Sequence, residues 1–278
     1  MKKKVILITG ASSGIGYSTA KLLLEEGHIV YCTARRVENM RELQRLGGKI
    51  IFLDVKDERA VQKVVNTIIR MESRIDVVFA NSGYACAGAL ETINIDNAKE
   101  EFDVNLFGVA RVIKAVMPQM RKQKHGYIIV TSSLAGIVST PMMSFYPASK
   151  HALEGMIDGF RMENKESGIK IVKIQPSFIN TEFINPFMNS LNKASKAKNA
   201  EVYKKEFEFF RKNSTKLILS SPPPEKVAKV VAKIISKKKP KKQYSINIDC
   251  KLCKLIKRFL GNSAIDKLMI KTIFKIRC

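Results

Sequence analysis

The chain has no tryptophan, only three histidines, and no apolar stretch of the length a bilayer crossing needs. A transmembrane helix takes roughly 20 consecutive apolar residues, so none is expected. The opening MKKKVILITG imitates a signal peptide for a few residues. Its apolar run, Val5 to Ile8, is too short and turns directly into Thr-Gly-Ala-Ser-Ser-Gly, which is not a cleavage region. The expected location is cytoplasmic, at most peripheral to the inner membrane face. The five cysteines, Cys32, Cys86, Cys250, Cys253 and Cys278, are scattered and odd in number. That suits a reducing compartment rather than a disulfide framework. Cys250-x-x-Cys253 has no second pair and the histidines are distant, so no metal site is expected. Without Trp, and with seven dispersed Tyr, there is no basic face interleaved with aromatics, and a nucleic-acid partner is not expected.

Acidic residues are also scarce, 25 against 49 Lys and Arg, for a net charge of +24. The excess is spread along the chain, as a general preference for Lys would give. It is densest over residues 237–278, where thirteen Lys and Arg face Asp249 and Asp266. Such a charge attracts anionic surfaces or substrates.

Apolar content is 45%, ordinary for a globular core. Apolar runs at Lys4–Thr9, Ile29–Ala34, Lys49–Leu53, Asp76–Ala80, Tyr127–Ser132, Ile169–Gln175 and Tyr244–Ile248 read as strands buried on both faces. Between them, Gly14–Glu26, Glu58–Glu72, Asn97–Lys122 and Phe145–Glu166 carry helical spacing. Strand and helix in alternation predict an α/β fold, one doubly wound Rossmann domain with a seven-stranded, mostly parallel sheet and helices on both faces.

The first strand runs into Thr9-Gly10-Ala11-Ser12-Ser13-Gly14-Ile15-Gly16 and then a helix. Glycines there let the backbone approach a pyrophosphate, and free amides at the helix N-terminus face its charge. The second strand ends in Ala34-Arg35-Arg36 with no acid. A guanidinium grips a 2′-phosphate where a carboxylate would bind a 2′-hydroxyl, so NADP(H) is the expected cofactor. Asp54-Val55 closes the third strand, where an Asp could accept from an adenine amino group. The stretch Thr131–Lys150 carries the reactive set. Ser133 ends a strand, Tyr146 follows thirteen residues later, and Lys150 stands one helical turn beyond. Residues four apart share a helix face. An ammonium beside a phenol should lower its pKa from about 10, and the serine can hydrogen-bond a reacting oxygen. A second Tyr-x-x-x-Lys, Tyr17 to Lys21, has no Ser thirteen residues upstream and reads as an accident.

In this order the motifs resemble the short-chain dehydrogenase/reductases over roughly residues 4–185. The likeness rests on Thr9-Gly10-x-x-x-Gly14-x-Gly16, Asp54, Asn81-Ser82-Gly83, Val104-Asn105-Leu106, Ser133, Tyr146-x-x-x-Lys150 and Pro176 to Thr181. The chain departs from the family at Ala80-Asn81 and Pro176-Ser177, neither of which handles protons. The resemblance implies a catalytic set of Asn105, Ser133, Tyr146 and Lys150. Tyr146 would exchange a proton with a carbonyl or alcohol, Ser133 polarise its oxygen, and Lys150 hold the nicotinamide ribose and tune Tyr146. Asn105 would hold a water leading to bulk solvent. Gly10, Ser12, Ser13, Gly14, Ile15, Gly16, Arg35, Arg36, Asp54, Val55, Asn81, Tyr146, Lys150, Pro176, Ile179 and Thr181 would bind the cofactor, with Asn81 bracing the adenosine half and Pro176, Ile179 and Thr181 meeting the nicotinamide. The family also implies a homodimer or homotetramer, through helices near 97–122 and 145–166. The alternative function is a non-catalytic NADP(H)-binding, redox-sensing or membrane-surface protein.

Apolar and aromatic residues along 108–116, 142–145, 178–187 and 201–211 point to a lipophilic carbonyl or alcohol. The likeness through Tyr146-x-Ala148-Ser149-Lys150-His151-Ala152-Leu153-Glu154-Gly155 is to the branch reducing steroids, retinoids or acylated ketones. The expected division is a domain over 1–249, with a substrate lid at about 180–214, and a basic amphipathic tail over 250–278. In the tail Leu252, Leu255, Ile256, Phe259 and Leu260 form an apolar face, Gly261-Asn262 a break, and Ile265, Leu268, Met269, Ile273 and Ile276 a second face. Such a helix lies at an anionic bilayer, caps the cleft or buries a dimer face; the sequence leaves these open.

Overall fold

Side chains alternate across the central strands, and that alternation builds two cores at once. In β1 (Val5–Thr9), Val5 and Leu7 face one side of the sheet, Ile6 and Ile8 the other, and all four are buried. A computed structural model describes residues 2–274 of the chain. After β1 come α1 (Gly14–Glu25), β2 (Ile29–Ala34), the short α2 (Arg41–Arg45), β3 (Lys49–Phe52), α3 (Glu58–Glu72), β4 (Val77–Ala80), α4 (Ile95–Phe102), α5 (Val109–Gln123) and β5 (Gly126–Thr131). The second half has α6 (Phe145–Glu163), β6 (Ile169–Gln175), α7 (Ile184–Ala194), α8 (Lys204–Leu219), α9 (Glu225–Ser236), β7 (Gln243–Ser245) and α10 (Ile248–Phe274).

The strands form one sheet in the order β3-β2-β1-β4-β5-β6-β7, and every pairing is parallel. Parallel strands need crossover helices, which cover both faces. One core packs Val5, Leu7, Val78 and Ile128 against Val61, Val65 and Ile68 of α3, Val112, Val116 and Met120 of α5, and Leu153 of α6. The other packs Ile6, Ile8, Val30, Phe79 and Ile129 against Leu23 of α1 and Val227, Val231 and Ile234 of α9. Each such side chain contributes roughly 1.5–3 kcal/mol by leaving water, which is why the register of the central strands is pinned.

β1 pairs with β2 on one side and β4 on the other. The chain reverses direction across the sheet there, opening a crevice at the strands' carboxyl ends.

Local departures from expectation have local causes. The helix expected over 97–122 is interrupted by a π-helical turn, Asp103–Gly108, which puts Asn105 into the interior. The strand expected to reach Ile248 stops at Ser245, because Ile248 already opens α10. α10 is two helical stretches meeting at Gly261, whose backbone is non-helical at φ 75, ψ −173, as the Gly-Asn break predicts. Its expected second apolar face runs to Ile276, which lies outside the described residues.

Candidate active site

The crevice is built from loops leaving six strand ends. The loop after β1 turns on Gly10 (φ +71) and Gly14 (φ +54), a backbone region glycine enters without steric cost. A Cβ at Gly16 would stand 2.2 Å from the Gly10 carbonyl and 2.7 Å from Asn81 Nδ2; one at Gly14 would stand 2.9 Å from the Thr181 side chain. The loop is therefore closed down onto the start of α1 with no room for side chains. That is the cradle a pyrophosphate needs, and α1 presents its N-terminus beneath it with no side-chain cap at Ser13.

Asn81, at the end of β4, holds this loop in place. Its Nδ2 lies 3.4 Å from the Thr9 carbonyl and 3.3 Å from that of Gly10, and its Oδ1 accepts from Thr131 Oγ1 at 3.0 Å. Thr9 Oγ1 in turn accepts from the Asn81 and Ser82 amides. Thr9 and Thr131 thus tie three strand ends together, a bracing role that the spacing of a strand-end threonine does not reveal.

At the end of β2 the two arginines differ. Arg36 donates to Ser13 Oγ at 3.1 Å and lies 3.5 Å from Glu182 Oε2, bridging the glycine loop to the segment after β6. Arg35 is exposed, and its charge is felt at Lys56. Asp54 Oδ1 accepts from the Lys56 amide at 3.0 Å, shaping the turn after β3, and Val55 packs against Gly108.

The reactive trio comes together. Ser133 follows β5, its Oγ accepts from the Ala135 amide at 3.1 Å, and its hydroxyl is close enough to pull the Tyr146 phenol's pKa down. Lys150, one turn along α6 from Tyr146, is buried. Its Nζ donates to the Thr131 carbonyl at 3.0 Å and sits 5.8 Å from the centre of the Tyr146 ring. Pro176 receives the Leu134 amide on its carbonyl and so joins the loops after β5 and β6. Ile179 is buried in the core under α1 and α9 rather than lining the crevice. Thr181 does touch the glycine loop.

One electrostatic expectation needs correction. Burial pushes the Tyr146 phenol up to about 12, with Ser133 pulling it down and the carboxyl of Glu101 adding to the rise. Lys150 goes the other way, to about 8, because burial disfavours its charge while Glu101 and Glu154 support it. Desolvation is the largest influence on both groups and disfavours both charged forms, so burial sets the direction of each shift. The Asn105 side chain is anchored in the fold: Oδ1 accepts from the Tyr84 amide at 3.1 Å, and Nδ2 donates to the Tyr84 carbonyl at 2.9 Å and Ser149 Oγ at 3.1 Å. Both Nδ2 hydrogens are used, while Oδ1 keeps a second acceptor lone pair.

Tyr17 and Lys21 both turn to Glu42, Lys21 at 2.6 Å, far in role from the trio. Glu101 is the residue the sequence gave no signal for. It is fully buried, takes the Cys86 amide on Oε2 at 2.8 Å, and leaves Oε1 without a partner.

Over the trio lies an apolar wall of Ala85, Ala87, Met142, Phe187, Leu191 and Phe210, with Phe183 5.7 Å from the Tyr146 ring, centre to centre. Much of it comes from α7 and α8.

A parallel seven-stranded sheet with a glycine loop after β1 and a Ser, Tyr and Lys set after β5 defines a nucleotide-binding oxidoreductase architecture. The model of the short chain dehydrogenase family matches residues 4–191. A 3-ketodihydrosphingosine reductase of Bacteroides thetaiotaomicron is 35% identical over 241 residues, 86% of each chain. A short-chain dehydrogenase from Streptomyces avermitilis superposes with a TM-score of 0.79 at 26% identity, covering 99% of this chain and 98% of its own. ElxO, solved with NADP bound, gives 0.71 at 26% identity over 88% and 97%. The chain belongs to the short chain dehydrogenase family and is an oxidoreductase acting on small molecules with a nicotinamide dinucleotide. Among the described residues no helix is long and apolar enough to cross a membrane.

Proposed function

We propose that this oxidoreductase transfers a hydride between NADP(H) and the carbonyl or secondary alcohol of a lipophilic substrate. The observation that carries the reading is Tyr146 packed against the apolar wall of Met142, Phe183, Phe187 and Phe210, with Lys150 Nζ 5.8 Å from its ring centre. A proton donor set among hydrocarbon suits a ketone on an apolar skeleton. A relative named for reducing 3-ketodihydrosphingosine agrees with this, as does one solved with NADP.

The residues fit the dinucleotide. The turn on Gly10, Gly14 and Gly16 would accommodate the pyrophosphate, and the exposed Arg35, beside a Lys56 paired with Glu100 at 2.6 Å, would meet the 2′-phosphate. Asp54 and Val55 would meet the adenine, and Ser12, Ser13, Ile15, Asn81, Pro176 and Thr181 would shape the rest, with Ile179 backing them from the core under α1 and α9. The cofactor, when bound, supplies or takes the hydride. In reduction Tyr146 gives its proton to the carbonyl oxygen while Ser133 donates a hydrogen bond to the same oxygen, stabilising the charge that develops there. In oxidation the proton returns to Tyr146. Lys150 gives one proton to the Thr131 carbonyl; its remaining donors would hold the nicotinamide ribose, and its charge would favour the phenolate. Asn105 positions the Tyr84 loop and Ser149 beside Lys150. The steroid, retinoid or acyl-ketone class belongs to this reading. So do a catalytic domain over 1–249 with its lid at 180–214, a tail over 250–278, a cytoplasmic location and a homo-oligomer.

The test is oxidation of NADPH, followed by its absorbance, against a panel of ketones and aldehydes graded by apolar size. Wild type is expected to prefer NADPH and the longer-chain ketones, and Arg35→Glu to weaken NADPH at least tenfold more than NADH. Equal effects on the two cofactors defeat the cofactor assignment. A preference for small hydrophilic carbonyls defeats the substrate class.

A further inference from the structure

α10 carries apolar residues on two faces, and the structure separates them. Facing the domain, Cys250 and Cys253 are buried, and Ile256, Ile265 and Met269 pack with Leu134, Ile137 and Val138. Facing out, Ile248 is 82% exposed, Leu252 52%, Leu255 54%, Phe259 72% and Leu260 67%. Residues 248, 252, 255 and 259 fall at i, i+4, i+7 and i+11, one stripe of a helix. Of the five residues expected to form one apolar face, only Ile256 turns inward.

Polar bonds fix this rotation. Lys257 Nζ donates to the Ile137 carbonyl at 2.6 Å, and Lys254 Nζ donates to Gln175 Oε1 and, at 3.0 Å, to Ser245 Oγ. Cys250 Sγ meets the Gln175 carbonyl at 3.4 Å. Rolling the helix to hide the stripe would break all of these contacts and expose both cysteines. A contiguous exposed stripe of this kind marks an interaction surface.

Its charge selects the partner. Lys251, Arg258, Lys267 and Lys271 are exposed along the helix, with only Asp249 and Asp266 against them. Face to face, two copies would bring these cations together without acidic counterparts. An anionic bilayer instead supplies hydrocarbon for the stripe and phosphate for the rim. We propose that the outward face of α10 docks this protein on anionic lipid bilayers. The seat of α10 on Leu134, Ile137 and Val138, the segment directly after Ser133, sets the docked face beside the substrate crevice. The docking does not depend on which carbonyl the enzyme reduces, because its readout is lipid binding and not turnover.

The test is flotation of the full chain with vesicles of equimolar phosphatidylglycerol and phosphatidylcholine, beside vesicles of phosphatidylcholine alone. Wild type is expected to float with the anionic vesicles and to be released as salt rises. Leu255→Ser with Phe259→Ser should lower binding by about tenfold per residue with the near-ultraviolet dichroism unchanged. Lys251→Glu with Arg258→Glu, both at exposed rim positions, should do so without touching the apolar stripe. Failure of wild type to float, or flotation of both variants, overturns the proposal. So does a wild-type oligomer that falls apart in the serine variant without any flotation, which would give the stripe to a second copy.

Discussion

Glu101 offers the sharpest quantitative test of the interior. It is wholly buried, its Oε2 is held by the Cys86 amide, and its Oε1 has no partner. Burial raises its carboxyl from 4.5 to about 7, against the pull of the Cys86 hydrogen bonds and of Lys150. The folded state therefore binds this proton more tightly than the unfolded chain does. The contribution to stability is complete below pH 4.5, declines as pH rises, and is lost above about 7. At about 1.4 kcal/mol per pH step, the decline amounts to about 3 kcal/mol for this one group. Glu101→Gln removes the titration but keeps an acceptor for the Cys86 amide. Urea unfolding at fixed protein concentration, from pH 5 to pH 8, should give a wild-type stability that falls relative to the variant by about that amount. The amide's own added donors shift the variant curve as a whole and leave the difference in slope intact. Titrating groups not coupled to Glu101, including the buried His28, cancel in the comparison; Lys150, whose charge Glu101 supports, adds to the difference in the same sense toward pH 8. Parallel curves for the two proteins would refute the reasoning, because they would mean that Glu101 stays ionised in the fold.

Tyr146→Phe is expected to lower kcat by roughly 10²–10⁴ while NADPH binding, measured by fluorescence titration, stays within a few-fold; loss of binding instead would reassign the hydroxyl to cofactor contact. Gly16→Ala should abolish dinucleotide binding and cost about 1–3 kcal/mol of stability, since its methyl would overlap the Gly10 carbonyl at 2.2 Å; undiminished binding in a calorimetric titration would show that the loop is looser than drawn. Lys173 is buried with Glu154 Oε2 at 2.6 Å and Asp158 Oδ2 at 2.8 Å, tying β6 to the helix that bears Tyr146 and Lys150. Lys173→Met leaves the mostly buried Glu154 without a cation, while Asp158 keeps Arg161 at 3.0 Å, and should cost about 3 kcal/mol by urea unfolding near neutral pH; a cost under about 1 kcal/mol would place the pair among solvated surface bridges.

What could be read from the chain alone was whatever depends on near neighbours. Strand periodicity located β2, β6 and α3 to the residue, because apolar alternation and caps are local. The glycine loop and the Ser133, Tyr146, Lys150 spacing were legible for the same reason: strand ends and one helical turn fix those positions. The charge states were not. Whether Lys150 lowers the Tyr146 phenol depends on how much water the fold excludes from both and on Glu101, which approaches from a different helix.

The second Tyr-x-x-x-Lys makes the same point. Tyr17 and Lys21 have the right spacing on α1, yet tertiary structure gives them Glu42 as a partner instead of a serine. The break in the helix at Asn105 has no sequence signature, since it arises from the Tyr84 loop and Ser149 that the amide must reach across the fold. Composition marked the tail as basic and amphipathic, but left open which apolar face looks outward. That was settled by contacts between residues more than a hundred positions apart, Lys257 with Ile137, which no periodicity encodes.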